Sequence, residues 1–580
     1  MRNAEIAAHF DELGDLYELD GAVVYRVIAY RNAAKAIREA PLSVEELARA
    51  GRVTELAGVG KTIAEKIDAL LETGQIPSAL KLKAKYPPGL VEVTRIPGLG
   101  PKKARKLFDS LGVDSLDALK AAIEQERVRD VPGFGVKTEE TIAHALAAGE
   151  TAPSPRILHS QAARIAESLV AVLREHPACN QVEVAGSLRR WADTCKDIDI
   201  VATAPDARAL VDAFAALPLL GEVHRAGEAG ARGVTHNGVP VDFRIVAPEN
   251  WGNLLQHLTG SGKHNEAMRT DAVKRGFHVS EYGVIDDSTE TTHACATEEE
   301  VYALLGMQYI PPELRENRGE LEAARKNALP VLVEPGNVRG ELHCHTVASD
   351  GRATIEQMVA AARDRGYSYI AITDHSATHG FGNDVSPDQL RATIERVAEL
   401  NAELAADGAG FRVLAGTEGN IGLGGELDYD EELVAQLDWV MASVHTSFRV
   451  GEKEMTKRVI AAMENPLVDC IGHPTGRLID RREPYAIDME KVVEAAVRTG
   501  TFMEINGNPD RRDLNEMWAR HAAEAGVKIC LTSDGHGTET LRNVRYAVAT
   551  ARRAWLTADQ VANTRDWPAL DALRKRTTLE

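Results

Sequence analysis

Basic excess is the first thing this chain lacks. Lys and Arg total 67 against 87 Asp and Glu, a formal net charge of −20. That balance excludes a protein that coats nucleic acid with a uniformly basic surface. It leaves room for local basic patches and for carboxylate sites whose charge bound cations cancel. Cysteine is also scarce. The six residues Cys179, Cys195, Cys295, Cys344, Cys470 and Cys530 form no CxxC pair and no regular framework. They read as reduced thiols of a cytosolic protein. No apolar run approaches the roughly 20 residues that span a bilayer. The first 21 residues are acidic and amphipathic, unlike a secretory signal.

What is present is an ordinary globular composition, 44% hydrophobic and 27% charged, over 580 residues. A prior of roughly 150 residues per domain suggests about four units. Residues 1–150 read as short helices broken by Gly-rich turns. One pattern recurs there three times: LAGVGKTIAEKI (56–67), IPGLGPKKARKL (96–107) and VPGFGVKTEETI (131–142). TAPSPR (151–156) reads as a linker. Strand-like runs QVEVAG, DIDIVAT and VPVDFRIV then alternate with helical stretches to about residue 250. Residues 319–338 are polar and read as a second linker. From Arg339 onward strands and helices alternate regularly, which predicts a parallel sheet or barrel.

The glycine pairs Gly58/Gly60, Gly98/Gly100 and Gly133/Gly135 let the backbone approach a phosphate closely. The helix after each pair aims free N–H groups at that phosphate. Lys102 and Lys103, with Arg105 and Lys106, add local positive charge. The turns resemble helix-hairpin-helix motifs, and that resemblance implies a grip on a DNA backbone without reading of bases. The third copy lacks the basic residues of the second, which makes packing its alternative role.

Two constellations carry chemistry. In the first, Gly186-Ser187-Leu188-Arg189-Arg190 closes a strand, and Asp197 and Asp199 follow in DIDIVAT. Residues i and i+2 of a strand share a face, so both carboxylates point into one site. Asp242 sits on another predicted strand. Three converging carboxylates suit two divalent cations. The Gly186–Ser187 backbone, the Ser187 hydroxyl and Arg190 would hold a triphosphate.

In the second constellation, His343, His345, Asp350, His375, Glu418, His445, His473, Asp534 and His536 fall near the ends of successive predicted strands. In a parallel α/β barrel those ends form the active-site face. Nine such residues, nearly all at strand ends, read as one imidazole-rich metal site rather than as separate core histidines.

The first half resembles the X-family DNA polymerases of the polymerase beta type, on GSLRR, DID, VDF and the segment LTGS (258–261) with Asn265 and Arg269. The three glycine turns resemble helix-hairpin-helix motifs. The second half resembles a PHP (polymerase and histidinol phosphatase) domain, on HCHTVASDG, TDH, GTEGN, SVHTS, GHPTGR and SDGH.

The resemblance implies a multidomain α+β and α/β chain. Its parts are a helical lyase-like DNA-binding domain (1–84), a helix-hairpin-helix domain (85–150), a nucleotidyltransferase palm (151–250) and a dNTP/nascent-pair-binding domain (251–318). A linker (319–338) leads to a PHP distorted (β/α)7 barrel (339–575). It implies that Asp197, Asp199 and Asp242 bind two Mg²⁺ or Mn²⁺ and that Asp242 accepts the primer proton, with Arg244 orienting it. Gly260, Ser261, Asn265 and Arg269 would contact the dNTP, with Lys263 and His264 as added cations. It implies a trinuclear Zn²⁺, Mn²⁺ or Fe-type cluster in the barrel, bridged by Glu418, with Asp374 supporting it.

Departures are Pro240 in place of the family's Arg two residues before the third Asp, and His257-Leu258 in place of its aromatic pair. Asn420 stands where relatives often carry Asp.

Lys66 matches the family's Schiff-base lysine, and Tyr30-Arg31 also matches. A lysine nucleophile acts as the free amine, a state nearby cations favour, and Lys61, Arg26 and Arg31 are candidate neighbours. Thr62 replaces a phosphate-binding lysine of some relatives. The residues read equally as a solvated helix lysine beside Ile63, Ile67 and Leu70.

The implied function is gap-filling DNA synthesis with 3′–5′ exonuclease activity, extending to abasic-site cleavage or 3′-phosphate removal. The expected partners are gapped or nicked DNA and dNTPs. No membrane association is expected, and the protein would be a monomer at the cytoplasmic nucleoid. The alternatives are a PHP domain acting on small phosphomonoesters, and a non-catalytic DNA-end bridging module.

Overall fold

A computed structural model describes the chain apart from residues 41, 57, 95, 97, 98, 148–155, 228, 379–383, 407, 409, 579 and 580. Gly98 and residues 151–155 of the expected linker therefore lie outside the described residues. The chain divides into two compact units. One comprises Met1–Ile157, Gln161–Ala185 and Thr194–Trp251. The other comprises Leu158–Ser160, Gly186–Asp193 and Gly252–Glu580.

The first unit begins with helices. Asn3–Leu19 and Val24–Glu39 pack on each other through Ile6, Phe10, Leu13, Ala33 and Ile37, all fully buried. Heptad-like apolar spacing on both helices produces that face. The glycine turns recur as one local geometry. Short 3₁₀ turns Val53–Glu55 and Val128–Asp130 lead to Gly58 and Gly133, each at φ +86°. An L-residue rarely adopts that conformation, so the glycine is required there. The helices Lys61–Thr73, Pro101–Leu111 and Val136–Ala147 follow.

The same unit carries a five-stranded sheet: β1 Gln181–Val184, β2 Ile198–Thr203, β3 Leu220–Gly227, β4 Gly230–Thr235 and β5 Pro240–Val246. Its order is β1-β2-β5-β4-β3. The central pair β2–β5 is parallel and the other pairs are antiparallel. Ile198, Ile200, Val241 and Phe243 face the core, and the aspartates between them face outward.

The second unit holds a small antiparallel sheet, β6 Phe277–Ser280, β7 Gly283–Asp286 and β8 Thr291–His293. Its seven-stranded parallel sheet follows: β9 Gly340–Glu341, β10 Tyr369–Ile372, β11 Arg412–Asn420, β12 Trp439–Ser443, β13 Cys470–Ile471, β14 Phe502–Asn506 and β15 Ile529–Thr532, in chain order. A parallel bridge between Cys344 and Gly535, just beyond the first and last strands, closes the barrel. Leu342, Tyr369, Leu414, Trp439, Phe502 and Cys530 fill its interior. Strands buried on both faces need near-continuous apolar runs, as YIAI, WVMAS and ICLT supply.

The expected linker 319–338 is ordered. It contains the helix Glu320–Arg325, and Glu320 is fully buried against His264. All six cysteines are free thiols. Among the described residues no helix is long and apolar enough to cross a membrane.

Candidate active sites and nucleic-acid interface

In the sheet of the first unit, parallel pairing sets Asp199 directly opposite Asp242. Both are half-buried on the face away from Ile200 and Phe243, and Asp197 precedes β2 by one residue. Arg244 lies two residues along β5 on the same face. The structure adds Arg232, which the sequence reading missed. It lies on β4 opposite Asp242, with Nε and Nη2 at 3.1 and 2.9 Å from Asp242 Oδ2. Arg232, Asp242 and Arg244 line a cavity of about 500 Å³. Pro240 on β5 offers no guanidinium, and Arg232 on the neighbouring strand supplies one. The signal was weak: Arg232 sits in a strand with no motif of its own.

The GSLRR run belongs to the other unit. It is a short helix, Gly186–Arg189, rather than the end of a strand. Gly186 has φ +63°. Arg190 donates Nη1 to the Thr259 carbonyl and Nε to Glu316 at 3.1 Å. Gly260 abuts it, since an added Cβ there would stand 3.3 Å from Arg190 Nη1. Ser261 caps the helix Gly262–Val273 by accepting from the His264 amide. Lys263 and Arg269 are exposed.

Two expectations need correction here. His264 is fully buried between Glu320 (2.7 Å) and Tyr302 (3.0 Å), and burial lowers its pKa, so it is no exposed cation. Asn265 is buried, and its amide is used internally on Gln256 and the His257 carbonyl.

The second unit gathers all nine histidines and carboxylates at the C-terminal mouth of the barrel. Glu418, on β11, lies within 3.3 Å of four imidazoles: His473 (2.9 Å), His375 (3.0 Å), His445 (3.2 Å) and His343 (3.3 Å). Asp534 lies 3.3 Å from His345, and Asp350 lies 3.2 Å from His536.

Three overlapping groups have donor atoms within 4.8 Å of one another: His345/Asp350/His375/His536, His343/His345/Asp534 and His375/Glu418/His445. Burial holds His345 down at about 3, aided by His375 and His536, and holds His445 at about 4. Both are therefore neutral, the form that binds cations. At His375 burial is outweighed by Glu418 and Asp350, which push it up to about 10.

Both ring nitrogens of His345, Nε2 of His343 and Nδ1 of His473 are buried without a hydrogen bond. Buried polar atoms rarely stay unmatched, and a cation would satisfy one nitrogen of each ring. The donor set therefore fits a multinuclear centre.

Sequence reasoning missed Glu504, on β14, whose carboxylate accepts from His343 Nδ1 at 2.6 Å. Asp374 accepts from the Thr346 amide and hydroxyl and from the Ser349 hydroxyl, which fixes the loop that carries Asp350. Asn420 accepts from the His445 amide and donates to Thr378 Oγ1, so it supports a loop.

In the helical region, Cβ atoms added at Gly58, Gly60, Gly100 or Gly135 would meet nothing within 4 Å, so these backbones are open. Lys102 is exposed, and Lys103 lies over the Phe134 ring. Lys106 Nζ would lie 3.4 Å from a Cβ at Gly133, so the second hairpin packs against the third. Arg105 is not part of an open patch, because Asp109, Tyr86 and the Leu19 carbonyl engage it. Lys66 Nζ donates to Ser78 Oγ at 3.1 Å and lies over the Tyr30 ring. Tyr30 stacks on Tyr17, which carries Arg26 on its ring. Arg31 is paired with Asp15 and Glu18.

Family comparisons match a helix-hairpin-helix domain over residues 1–76 and a SAM-like helix-hairpin-helix tandem over 90–148. They match the DNA polymerase beta thumb over 254–316 and a PHP domain over 341–508. These define a DNA polymerase beta-type chain joined to a PHP barrel, a class that depends on divalent metal.

The DNA polymerase/3′-5′ exonuclease PolX of Bacillus subtilis (strain 168) is 36% identical over 579 residues, covering 99% of this chain and 100% of that protein. A probable phosphatase of Thermoanaerobacter sp. (strain X514) is 33% identical over 242 residues, 39% of this chain and 89% of that protein. A probable phosphatase of Photobacterium profundum is 28% identical over 246 residues, 41% and 94% respectively. The chain belongs to the PolX family of X-family DNA polymerases with a C-terminal PHP domain.

Proposed function

We propose that this protein is a repair polymerase that fills short DNA gaps with its first active site and trims 3′ ends with its barrel. The observation that supports the reading is two clusters of candidate ligands: Asp199 opposite Asp242 on adjacent parallel strands, and nine histidines and carboxylates at the barrel mouth.

Asp197, Asp199 and Asp242 would hold two Mg²⁺ or Mn²⁺, which supply charge neutralisation at the transferred phosphoryl group when bound. Asp242 takes the proton of the primer 3′-hydroxyl, and Arg232 and Arg244 hold its carboxylate in place. Ser187 and Arg190 bind the triphosphate, and Gly260, Lys263 and Arg269 line its approach. In the barrel, His343, His345, Asp350, His375, Glu418, His445, His473, Asp534 and His536 would hold a trinuclear Zn²⁺, Mn²⁺ or Fe-type centre. It supplies Lewis-acid activation of a phosphate ester when bound. Gly58, Gly60, Gly100 and Gly135 offer open backbone to DNA phosphates, with Lys102 and Lys103 beside the second hairpin. The working location is the cytoplasmic nucleoid, and the working form is a monomer on gapped or nicked DNA with dNTPs.

The deciding experiment is a gapped-DNA assay with Mg²⁺ or Mn²⁺. Wild type should extend the primer and digest free 3′ ends. Failure to extend under any divalent cation would falsify the polymerase reading.

The likeness of the barrel to probable phosphatases favours a second reading, in which it acts on small phosphomonoesters. Turnover of DNA ends against such esters separates the two. DNA ends should win, because the same chain carries DNA-gripping hairpins.

A further inference from the structure

The turn that carries Gly186, Ser187 and Arg190 continues through Trp191 to Asp193, and barrel residues hold its far end. Asp193 Oδ2 accepts from Arg477 Nη1 at 2.9 Å, and Oδ1 lies 3.2 Å from Arg512 Nη1. Arg477 follows β13 and Arg512 follows β14. Arg512 is 1% exposed, and its two terminal nitrogens make no hydrogen bond. Two barrel arginines thus face the one carboxylate of Asp193.

Trp191 has a left-handed φ of 56°. Its ring stacks on His159 at 4.5 Å and meets the edge of Tyr546 at 5.9 Å. In the helix Val544–Arg553, Arg553 is almost fully buried and donates Nη1 to the main-chain carbonyl of Arg190 at 2.7 Å. The same nitrogen lies 3.1 Å from Glu316, the carboxylate that holds Arg190 Nε. Arg553 Nη2 donates to Glu516 at 2.8 Å. The orientation of Arg190 is therefore fixed from both sides, through its side chain by Glu316 and through its backbone by Arg553.

We propose that Asp193 and Arg553 are positioning residues for nucleotidyl transfer, and that the barrel is the mechanical seat of the triphosphate-binding turn. This role is separate from the barrel's own phosphoester chemistry. It rests on the assignment of Ser187 and Arg190 to the triphosphate. Since a misplacement near 1 Å far from the chemistry can cost about 100-fold in rate, loosening the turn should register first in dNTP binding.

The test uses the full-length protein on gapped DNA. Asp193→Asn, which keeps the side-chain shape and removes the charge, should raise the dNTP KM by about tenfold or more. The affinity for gapped DNA and the rate of 3′-end digestion should stay within about twofold of wild type. Asp193→Glu should recover most of the loss, and Arg553→Lys, which cannot reach the Arg190 carbonyl and both carboxylates together, should share the defect. An unchanged dNTP KM in both Asp193→Asn and Arg553→Lys overturns the proposal. So does a parallel fall of extension and digestion, which would signal general unfolding. Failure of the underlying assignment looks different: Arg190→Ala would then leave the dNTP KM unchanged, and the proposal would fall with it.

Discussion

His343 and Glu504 form a fully buried pair, with Nδ1 of the imidazole 2.6 Å from Oε1 of the carboxylate. The Thr532 hydroxyl and the His473 amide also donate to Glu504. A carboxylate on Nδ1 fixes the proton there and turns the Nε2 lone pair outward. Nε2 of His343 is the atom left buried without a hydrogen bond.

Glu504→Gln should therefore weaken the barrel site without touching the polymerase site. Loss of such a partner typically lowers metal affinity or activity by about 10–100-fold. Digestion of 3′ ends should fall by that factor when divalent metal is limiting, and recover in part at high metal. Primer extension should not change. Wild-type digestion at limiting metal would remove Glu504 from this role.

The two sites should also separate by mutation. Asp199→Ala removes a carboxylate paired in register with Asp242, and extension should drop by about 10³-fold, the equivalent of several kcal/mol of charge stabilisation. Digestion should remain. His343→Ala should give the reverse pattern. If either substitution abolished both activities in a protein that still melts cooperatively, independent sites would be wrong.

The barrel was legible in the sequence because most of the histidines and carboxylates that it gathers follow apolar runs, so the period of the pattern brings them to one mouth. The Asp199–Asp242 pairing was legible in part. Alternation gave the face, but the register came only with the sheet. Arg232 and Glu504 were not legible, since both act from neighbouring strands and neither lies in a recognisable spacing. Asn265 and His264 show the opposite error. They lie in a motif segment, yet the helix turns them inward onto Gln256 and Glu320. The 319–338 stretch is polar, which reads as a linker, but it forms the helix Glu320–Arg325, whose Glu320 is buried on His264.

Lys66 lies on the helix after the first glycine turn, with Ser78 Oγ at 3.1 Å and the Tyr30 ring beneath it. Borohydride should trap a covalent adduct between the protein and DNA that carries a 5′-deoxyribose phosphate. Lys66→Ala should abolish trapping and keep gap filling on intact ends. Equal trapping in both proteins would assign the chemistry elsewhere, and absence of trapping in wild type would leave Lys66 a surface lysine.

Acid should unfasten the polymerase beta thumb-like region through Glu298. This carboxylate is 4% exposed and receives Arg189 at 2.7 and 2.9 Å and Arg315 through a second ion pair. The Tyr309 hydroxyl lies 3.4 Å away. Burial opposes ionisation, but Arg315 and Arg189 overcome it and hold Glu298 at about 2, below its ordinary 4.5.

Because the folded value is depressed, the stabilisation is fully present above about 4.5 and is lost as pH falls toward about 2. Its size is at most roughly 3 kcal/mol. Amide protection factors in the helix Glu298–Leu304, taken against the intrinsic rate at each pH, should therefore fall steeply between pH 4.5 and 2.5. Glu298→Gln should exchange fast already at pH 7 and lose most of that slope, because Arg189 and Arg315 then lack their carboxylate at every pH. A slope in Glu298→Gln equal to wild type would show that another group controls the acid transition.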